Sequence, residues 1–511
     1  LSNQIRTWTA ALARPTSPLQ LASWTVGLAL AAPIAATSSA PATAEFTFDQ
    51  YEIAIDNAEA QTILTGFLLG GAMADIAVLS IDENDDRRLH IYGFGKDTWV
   101  PMLDATLGRE VLFVDVANID GRDRLITYQS GRLNWFDPSS ETERRLTEVL
   151  TNYNATPPGL SYANAQTLGP ADEGEVPHID ITRDLNGDGR DDLALPDVDG
   201  FWIATQRSDG SFTEPMKLGP AEPFRNQIAL GDTRTYGEVR ITPLTVPWYL
   251  SRLHVLDYDQ DGLRDLVFWN EDHFVVHHQE TRGTFSPIAE AVTVEVPFDS
   301  DGAYSLYFGL EDANELALVF GLRKSTQRSV LCSFQDLNGD GVADLMTHTL
   351  SGRSLLRQRS RYEVYLGKPT HDGLTFSQEA NTVIQPKGKG AGMETSGYSS
   401  LWLQDFDGDG QTDLMRGDVQ IGIGAMIRAL LGTSVSMTAE LFRIESGVSP
   451  TQAAATRKTK ADLAFRGGGG RDAGFFPAVL VGDVNGDGRA DVFECVSDGW
   501  GISGDYHEYA F

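Results

Sequence analysis

The chain has 511 residues, 72 of them acidic and 40 basic, for a net charge of −32 at pH 7. So much negative charge repels other polyanions, which excludes nucleic acid and anionic membrane surfaces as partners. Its 41% hydrophobic residues are enough for a large core, and its two cysteines are too few for a disulfide-built scaffold.

The N-terminus has the order of a secretory leader. Arg6 and Arg14 stand without an acid, the apolar stretch Leu21–Ala36 follows, and Ala42-Thr43-Ala44 precedes Glu45. Cleavage is expected after Ala44. As a membrane anchor the apolar stretch is short, about 16 residues including Pro33 against the roughly 20 of a spanning helix. Residues 1–44 therefore read as a signal peptide and 45–511 as the folded domain, with no membrane span in the mature chain. The location expected is extracytoplasmic: periplasmic, cell-surface or secreted.

Two faint units come next. Asp75 follows Gly70-Gly-Ala-Met-Ala and opens an apolar run, and Asp115-Val-Ala-Asn-Ile-Asp120-Gly121-Arg-Asp123 is an acidic turn between two more. Then one nine-residue acidic loop is written five times. Its copies run Asp184–Asp192, Asp257–Asp265, Asp336–Asp344, Asp405–Asp413 and Asp483–Asp491.

Positions 1, 3, 5 and 9 carry carboxylates or amides throughout. They are Asp184, Asn186, Asp188 and Asp192; Asp257, Asp259, Asp261 and Asp265; Asp336, Asn338, Asp340 and Asp344; Asp405, Asp407, Asp409 and Asp413; Asp483, Asn485, Asp487 and Asp491. Position 7 varies (Arg190, Leu263, Val342, Gln411, Arg489), as fits a residue that offers only its backbone carbonyl. A ring of hard oxygens suits calcium, which takes six to eight of them in a flexible shell. Position 6 is Gly in each copy, where the chain turns sharply. About five calcium ions are expected, and the alternative for any one copy is a solvated Asp/Gly turn.

These loops are not EF-hands. That motif needs a bidentate Glu at position 12 and flanking helices, whereas position 12 is Leu195, Phe268, Thr347, Arg416 and Glu494. The flanks are short apolar runs such as Leu253–Leu256 and Leu266–Trp269, which read as buried strands. Each loop thus joins two strands of a hairpin. The position-9 aspartates are separated by 73, 79, 69 and 78 residues, a repeating unit. In the third unit four strands are predicted, over 178–182, 193–195, 201–206 and 212–217. Four-stranded antiparallel sheets around an axis make an all-β propeller with protected edges. Seven units, centred near 75, 120, 188, 261, 340, 409 and 487, give seven blades. Glu45–Ile55 alternates Phe46, Phe48, Tyr51 and Ile53 with polar residues, and is expected to lend the last blade a strand that closes the ring.

The loops resemble those of FG-GAP or VCBS repeats, the family that includes the seven-bladed propeller of integrin α-chains. The family's Phe-Gly and Gly-Ala-Pro signatures survive only as fragments, such as Phe308-Gly309 and Gly71-Ala72. The resemblance implies one calcium per loop, on the turn joining the first two strands of a blade. It also implies a binding surface made by loops elsewhere on the disc.

Other features carry less. Cys332 and Cys495 fall on strands of the fifth and seventh units, and read as two buried thiols rather than a disulfide. Gly219–Tyr249, Ala289–Ser329, Tyr362–Gln385 and Ile421–Arg466 exceed what a blade needs. Lys387–Gly392 and Arg466–Arg471 are glycine-rich loops, and neither follows the phosphate-loop pattern. His273, His277 and His278 are the only grouped histidines, and 273 and 277 share a face of a strand, which suits a transition metal, a general base, or a polar strand surface at a blade edge. There is no Gly-x-Ser-x-Gly elbow and no His-Glu-x-x-His. The function expected is a calcium-binding adhesion or binding module for a protein or carbohydrate. The alternative is a polysaccharide lyase or hydrolase on the same scaffold.

Overall fold

The computed structural model describes residues 5–13, 48–147, 176, 181–219, 253–301, 326–385, 391–394, 401–421, 434–444, 455–462 and 479–497, apart from short breaks within those spans. These residues form antiparallel sheets, most of four strands, and no helix among them is long and apolar enough to cross a membrane.

The first sheet takes Glu59–Gly66, Asp75–Ile81, Arg87–Phe94 and Trp99–Thr106 in chain order. Phe113–Ile119, Arg122–Gln129, Arg132–Asp137 and Thr142–Thr147 make the second. In the third, Thr182–Arg183, Asp192–Asp197, Gly200–Ala204 and Met216–Leu218 match the four predicted strands, with a further bridge between Gln206 and Phe212. The fourth comprises Leu253–Leu256, Asp265–Asn270, His273–His277 and Glu290–Val292. Thr326–Gln335, Asp344–Gly352, Arg359–Tyr365 and Thr382–Ile384 form the fifth, to which Ser300–Asp301 adds in parallel. In the sixth, Leu401–Gln404 and Ala391–Glu394 both pair with Asp413–Ile421, followed by Ser434–Arg443 and Ala455–Asp462.

Two expectations change here. Tyr362–Gln385 and Ile421–Arg466 are not spare loops, because they supply the outer strands of the fifth and sixth sheets. Most of Gly219–Tyr249 and of Ala289–Ser329, together with Arg466–Arg471 and Trp500–Phe511, lies outside the described residues.

The last sheet joins the two ends of the chain. Its order is Phe48–Asp56, Ile5–Ala13, Asp491–Ser497 and Val479–Gly482. The strand expected near Glu45–Ile55 is in this sheet, but Ile5–Ala13 lies between it and the C-terminal strand. The rest of the segment read as a leader lies outside the described residues.

Alternation explains why the runs after each loop are apolar without a break. Leu193 and Leu195 pack with Phe113, Ile126 and Tyr128 of the second sheet, while Ala194 packs with Leu266 and Phe268 of the fourth. One step on, Val267 and Trp269 face Leu331, Phe334 and Leu345 of the fifth, and Met346 faces Leu414 and Phe442 of the sixth. A strand covered on both faces loses its polar alternation and reads as a continuous hydrophobic run.

Candidate metal centre

Each acidic loop lies between the first two strands of its sheet, and the same four hydrogen bonds recur in all five copies. The position-6 N–H donates to Oδ2 of the position-1 Asp at 2.8–3.1 Å. The position-5 N–H donates to Oδ1 at position 3, at 2.8–3.2 Å. The position-7 N–H donates to Oδ1 of the position-5 Asp at 2.8–3.0 Å. The position-2 N–H donates to Oδ2 of the position-9 Asp at 2.9–3.2 Å. Such side-chain turns are what Asp and Asn are suited to. The position-6 glycines have φ of 81–89°, the left-handed region that the tight turn demands.

Position 9 does more than the sequence indicated. Asp192, Asp344 and Asp491 are 0% exposed, Asp265 1% and Asp413 2%, whereas the position-5 groups Asp261, Asp409 and Asp487 lie at the surface. Its second oxygen reaches across the sheet to the end of the third strand. Asp192 Oδ1 accepts from Gln206 N (2.7 Å), Asp265 Oδ1 from Gln279 N (2.9 Å) and Asp344 Oδ1 from Gly367 N (2.9 Å). Burial pushes the Asp192 carboxyl up to about 7, Asp344 to about 6 and Asp413 to about 8. Asp257, Asp265 and Asp407 also rise, again chiefly through burial. Neighbouring carboxylates add to the rise: Asp407 and Asp409 around Asp413, Asp188 near Asp192. A divalent cation held in the loop would supply the opposing charge.

The donors fit a hard cation. Carboxylate oxygens of Asp257, Asp259 and Asp261 lie within 4.8 Å of one another, as do those of Asp405, Asp407 and Asp413. Asp257 Oδ1 is buried without a hydrogen-bond partner. Because each backbone N–H occupies one lone pair, the carboxylates keep others for a metal. Calcium, with its six to eight oxygens, matches this donor set. Two arginines also enter, Arg190 on Asp188 Oδ2 and Arg443 on Asp407 Oδ2, so these two groups carry part of their counter-charge already.

Successive loops lean on one another. Arg264 Nη1 donates to Asp184 O (3.2 Å), Thr412 N to Leu337 O (3.2 Å) and Ala490 N to Asp405 O (2.9 Å). The faint units join the same row, with Asp191 N bonded to Asn118 O (3.3 Å) and Ala74 N to Val484 O (2.6 Å). Gln206 and Gln279 brace it. Gln206 Nε2 donates to Asp191 O (2.8 Å) and to Asn118 O of the preceding sheet (2.9 Å); Gln279 Nε2 donates to Arg264 O (2.7 Å). A polar residue 14 positions after each of these position-9 aspartates was the only signal for them in the sequence.

The faint units hold no such cage. Asp120 and Gly121, with φ of 54° and 72°, make a two-residue hairpin turn. Asp115 accepts from Ile181 N and Thr182 Oγ1, both at 2.9 Å. Asp75 accepts from Leu69 N (2.6 Å), and burial raises its carboxyl.

The histidines divide differently from expectation. His277 is no polar strand surface: it is buried, with Nδ1 2.9 Å from Ser286 O and Nε2 3.1 Å from Gly219 O. His273 sits beside Asp272 (2.8 Å) at the surface. His278, grouped with these two in the sequence but not on their strand face, is the one that meets the loop of the fourth sheet, Asp257–Asp265, here the fourth loop. Cys332 is half-buried against the core between the fifth and sixth sheets.

No family model matches the chain, and no curated protein does. Among solved structures it is similar to an Agrocybe aegerita lectin described as recognising non-reducing terminal N-acetylglucosamine, at 16% identity over 79% of this chain and 86% of that one, with a TM-score of 0.38. It is also similar to the Photorhabdus luminescens Tc holotoxin pore, at 16% identity over 90% of this chain and 17% of that one (TM-score 0.33). A third likeness is to the WD40 domain of SCAP from fission yeast, at 8% identity over 86% and 95% (TM-score 0.31).

Proposed function

We propose that the chain is an extracytoplasmic, calcium-stabilised seven-bladed β-propeller of the FG-GAP/VCBS class, acting as a binding or adhesion module for a protein or a glycan. One observation carries the calcium reading: five loops of the same spacing hold their carboxylates with the same four backbone hydrogen bonds. The ring reading is supported by the loop-to-loop bonds, which join the second sheet to the third, the third to the fourth, the fifth to the sixth and the sixth to the last, and return from Val484 to Ala74 of the first. The extracytoplasmic reading rests on the leader-like order of the first 44 residues, and it requires Phe48–Asp56 to take the place beside Asp491–Ser497 that Ile5–Ala13 holds in the structure. It also suits the ion, because extracellular calcium sites work with dissociation constants of ~10⁻⁴–10⁻³ M.

In this reading the ions are structural. They fix the turns, the turns fix the rim, and specificity is left to loops held on a rigid scaffold. The chain's acidity favours a neutral or basic ligand over a polyanionic one. Each filled site adds about 2.7 kcal/mol when calcium is 100-fold above its dissociation constant. Asp261→Ala and Asp409→Ala, which touch exposed position-5 groups, should lower the melting temperature in calcium and change little in chelator. Equal losses in both conditions would reduce the loops to ordinary turns. For the ligand, a glycan array read together with product release separates a binder from an enzyme: retention without new chain ends is the expected result.

A further inference from the structure

We propose that the loop of the fourth sheet, Asp257–Asp265, carries a mixed nitrogen–oxygen site for a borderline divalent cation of the zinc class, made by His278 Nδ1 with the carboxylates of Asp259 and Asp265. His278 Nδ1 is 3.4 Å from Asp265 Oδ2 and 3.6 Å from Asp259 Oδ2, and the three ligand atoms lie within 4.8 Å of one another. Zinc bonds of about 2.0–2.2 Å at tetrahedral angles hold neighbouring ligand atoms about 3.3–3.6 Å apart. The two distances to the imidazole nitrogen fall in that interval.

The imidazole is set up to be a ligand. Nδ1 is closed off from solvent and has no hydrogen-bond partner, a condition buried polar atoms rarely keep without a reason. On the other side of the ring, Nε2 lies 3.1 Å from Glu290 Oε2. When Glu290 accepts the Nε2 proton of the neutral ring, the Nδ1 lone pair faces Asp259 and Asp265. A carboxylate behind the ring is the arrangement that fixes tautomer and orientation in metal-binding histidines. Asp265 Oδ2 also accepts the Tyr258 N–H at 3.0 Å, and its second lone pair remains for the metal.

Ligand chemistry sets this site apart from the calcium set. Calcium takes oxygen, whereas imidazole suits zinc and its neighbours. Asp259 belongs to both groups, so the loop presents an all-oxygen face with Asp257 and Asp261 and a nitrogen-bearing face with Asp265 and His278. The residue before Gln206 in the third sheet is Thr205, and the one before Gly367 in the fifth is Leu366, so their loops lack the imidazole. Three protein ligands leave a fourth position for water or for a donor from a bound molecule.

The site shares Asp259 and Asp265 with the proposed calcium loop, and so rests on that reading of the loop's geometry; the metal used as probe separates the two. The full chain, stripped with chelator, is titrated with Zn²⁺ by calorimetry, alone and in saturating Ca²⁺. The expected result is one tight zinc site, lost in His278→Gln and weakened ~10–100-fold in Glu290→Gln, the range for removal of an orienting carboxylate. Calcium binding at the remaining loops should persist in both variants. Absence of a tight zinc site in the wild type, or undiminished affinity in a folded His278→Gln, would overturn the proposal. Should His278→Gln lose its wild-type circular dichroism, Glu290→Gln decides alone, because its side chain is 53% exposed, and undiminished affinity there also overturns it. Zinc binding that disappears with His278 in a chain that takes up no calcium would sustain this site and remove the calcium reading.

Discussion

The second and third sheets turn their first hairpin by different means. In the second, Phe113–Ile119 and Arg122–Gln129 meet through Asp120 and Gly121, whose left-handed backbone makes the turn. In the third, nine residues from Asp184 to Asp192 are held by carboxylates that gather the loop's own N–H groups. Acids of the second hairpin are used for neighbours instead: Asp115 accepts from Ile181 and Thr182, and Asp123 Oδ2 from Phe67 N (2.9 Å). A backbone turn is complete without further charge. A carboxylate cage is not, because burying several like charges is costly until a cation joins them.

That contrast can be tested by how each part responds to calcium. The largest expected effect is chelation of the whole chain, which should remove about 2.7 kcal/mol for each site held at 100 times its dissociation constant. Hydrogen exchange should then rise in the acidic loops and leave Asp120–Gly121 as it was. Next comes Asp192→Ala, which strips Leu185 N, Asn186 N and Gln206 N of their acceptor. At ~1–3 kcal/mol per orphaned buried group, the loss should reach about 3 kcal/mol or more by denaturant titration, and should persist in chelator. A loss confined to calcium-containing buffer would mean that position 9 acts only as a ligand. Gln279→Ala removes the donor to Arg264 O and the acceptor of Gly283 N (3.0 Å), for about 1–3 kcal/mol whether calcium is present or not.

What was legible in the sequence is what lies close along the chain. All the bonds inside a loop span at most seven residues, so the Asp-x-Asp/Asn-x-Asp-Gly spacing encodes them directly. The strands leaving the loops were equally plain, since a run such as Leu193–Leu195 is apolar on both faces. Gln206, Gln279, Arg443 and His278 were not legible as partners of the loops. Each comes from the far end of a third strand, and strand register decides which side chain arrives beside the carboxylates. His277 shows how sharp that dependence is: one residue before His278, it points into the core and bonds to Ser286 and Gly219. The place of Ile5–Ala13 was hidden for another reason, because it stands ahead of the apolar stretch Leu21–Ala36, in a segment whose order reads as a leader rather than as part of a sheet.

The finest test of the contrast uses two glycines with matching surroundings. Gly121 (φ 72°) and Gly262 (φ 89°) both have open space where a Cβ would stand, so substitution adds no clash at either position. Alanine then costs only the left-handed backbone, about 1 kcal/mol. In the Asp120–Gly121 hairpin that cost has nowhere to go, and Gly121→Ala should lose the same stability in calcium and in chelator. In the Asp257–Asp265 loop the Gly262 N–H is bound to Asp257 Oδ2, and the turn brings together Asp257, Asp259 and Asp261, which would hold the proposed ion. Without the ion, repulsion among those carboxylates favours a more open loop, in which alanine is no longer strained. Gly262→Ala should therefore appear as weaker calcium binding, with a destabilisation of about 1 kcal/mol in calcium that shrinks in chelator. Paired melting curves of the two variants measure the difference directly. Equal losses under both conditions would show that the fourth loop, like the second hairpin, is shaped by its backbone alone.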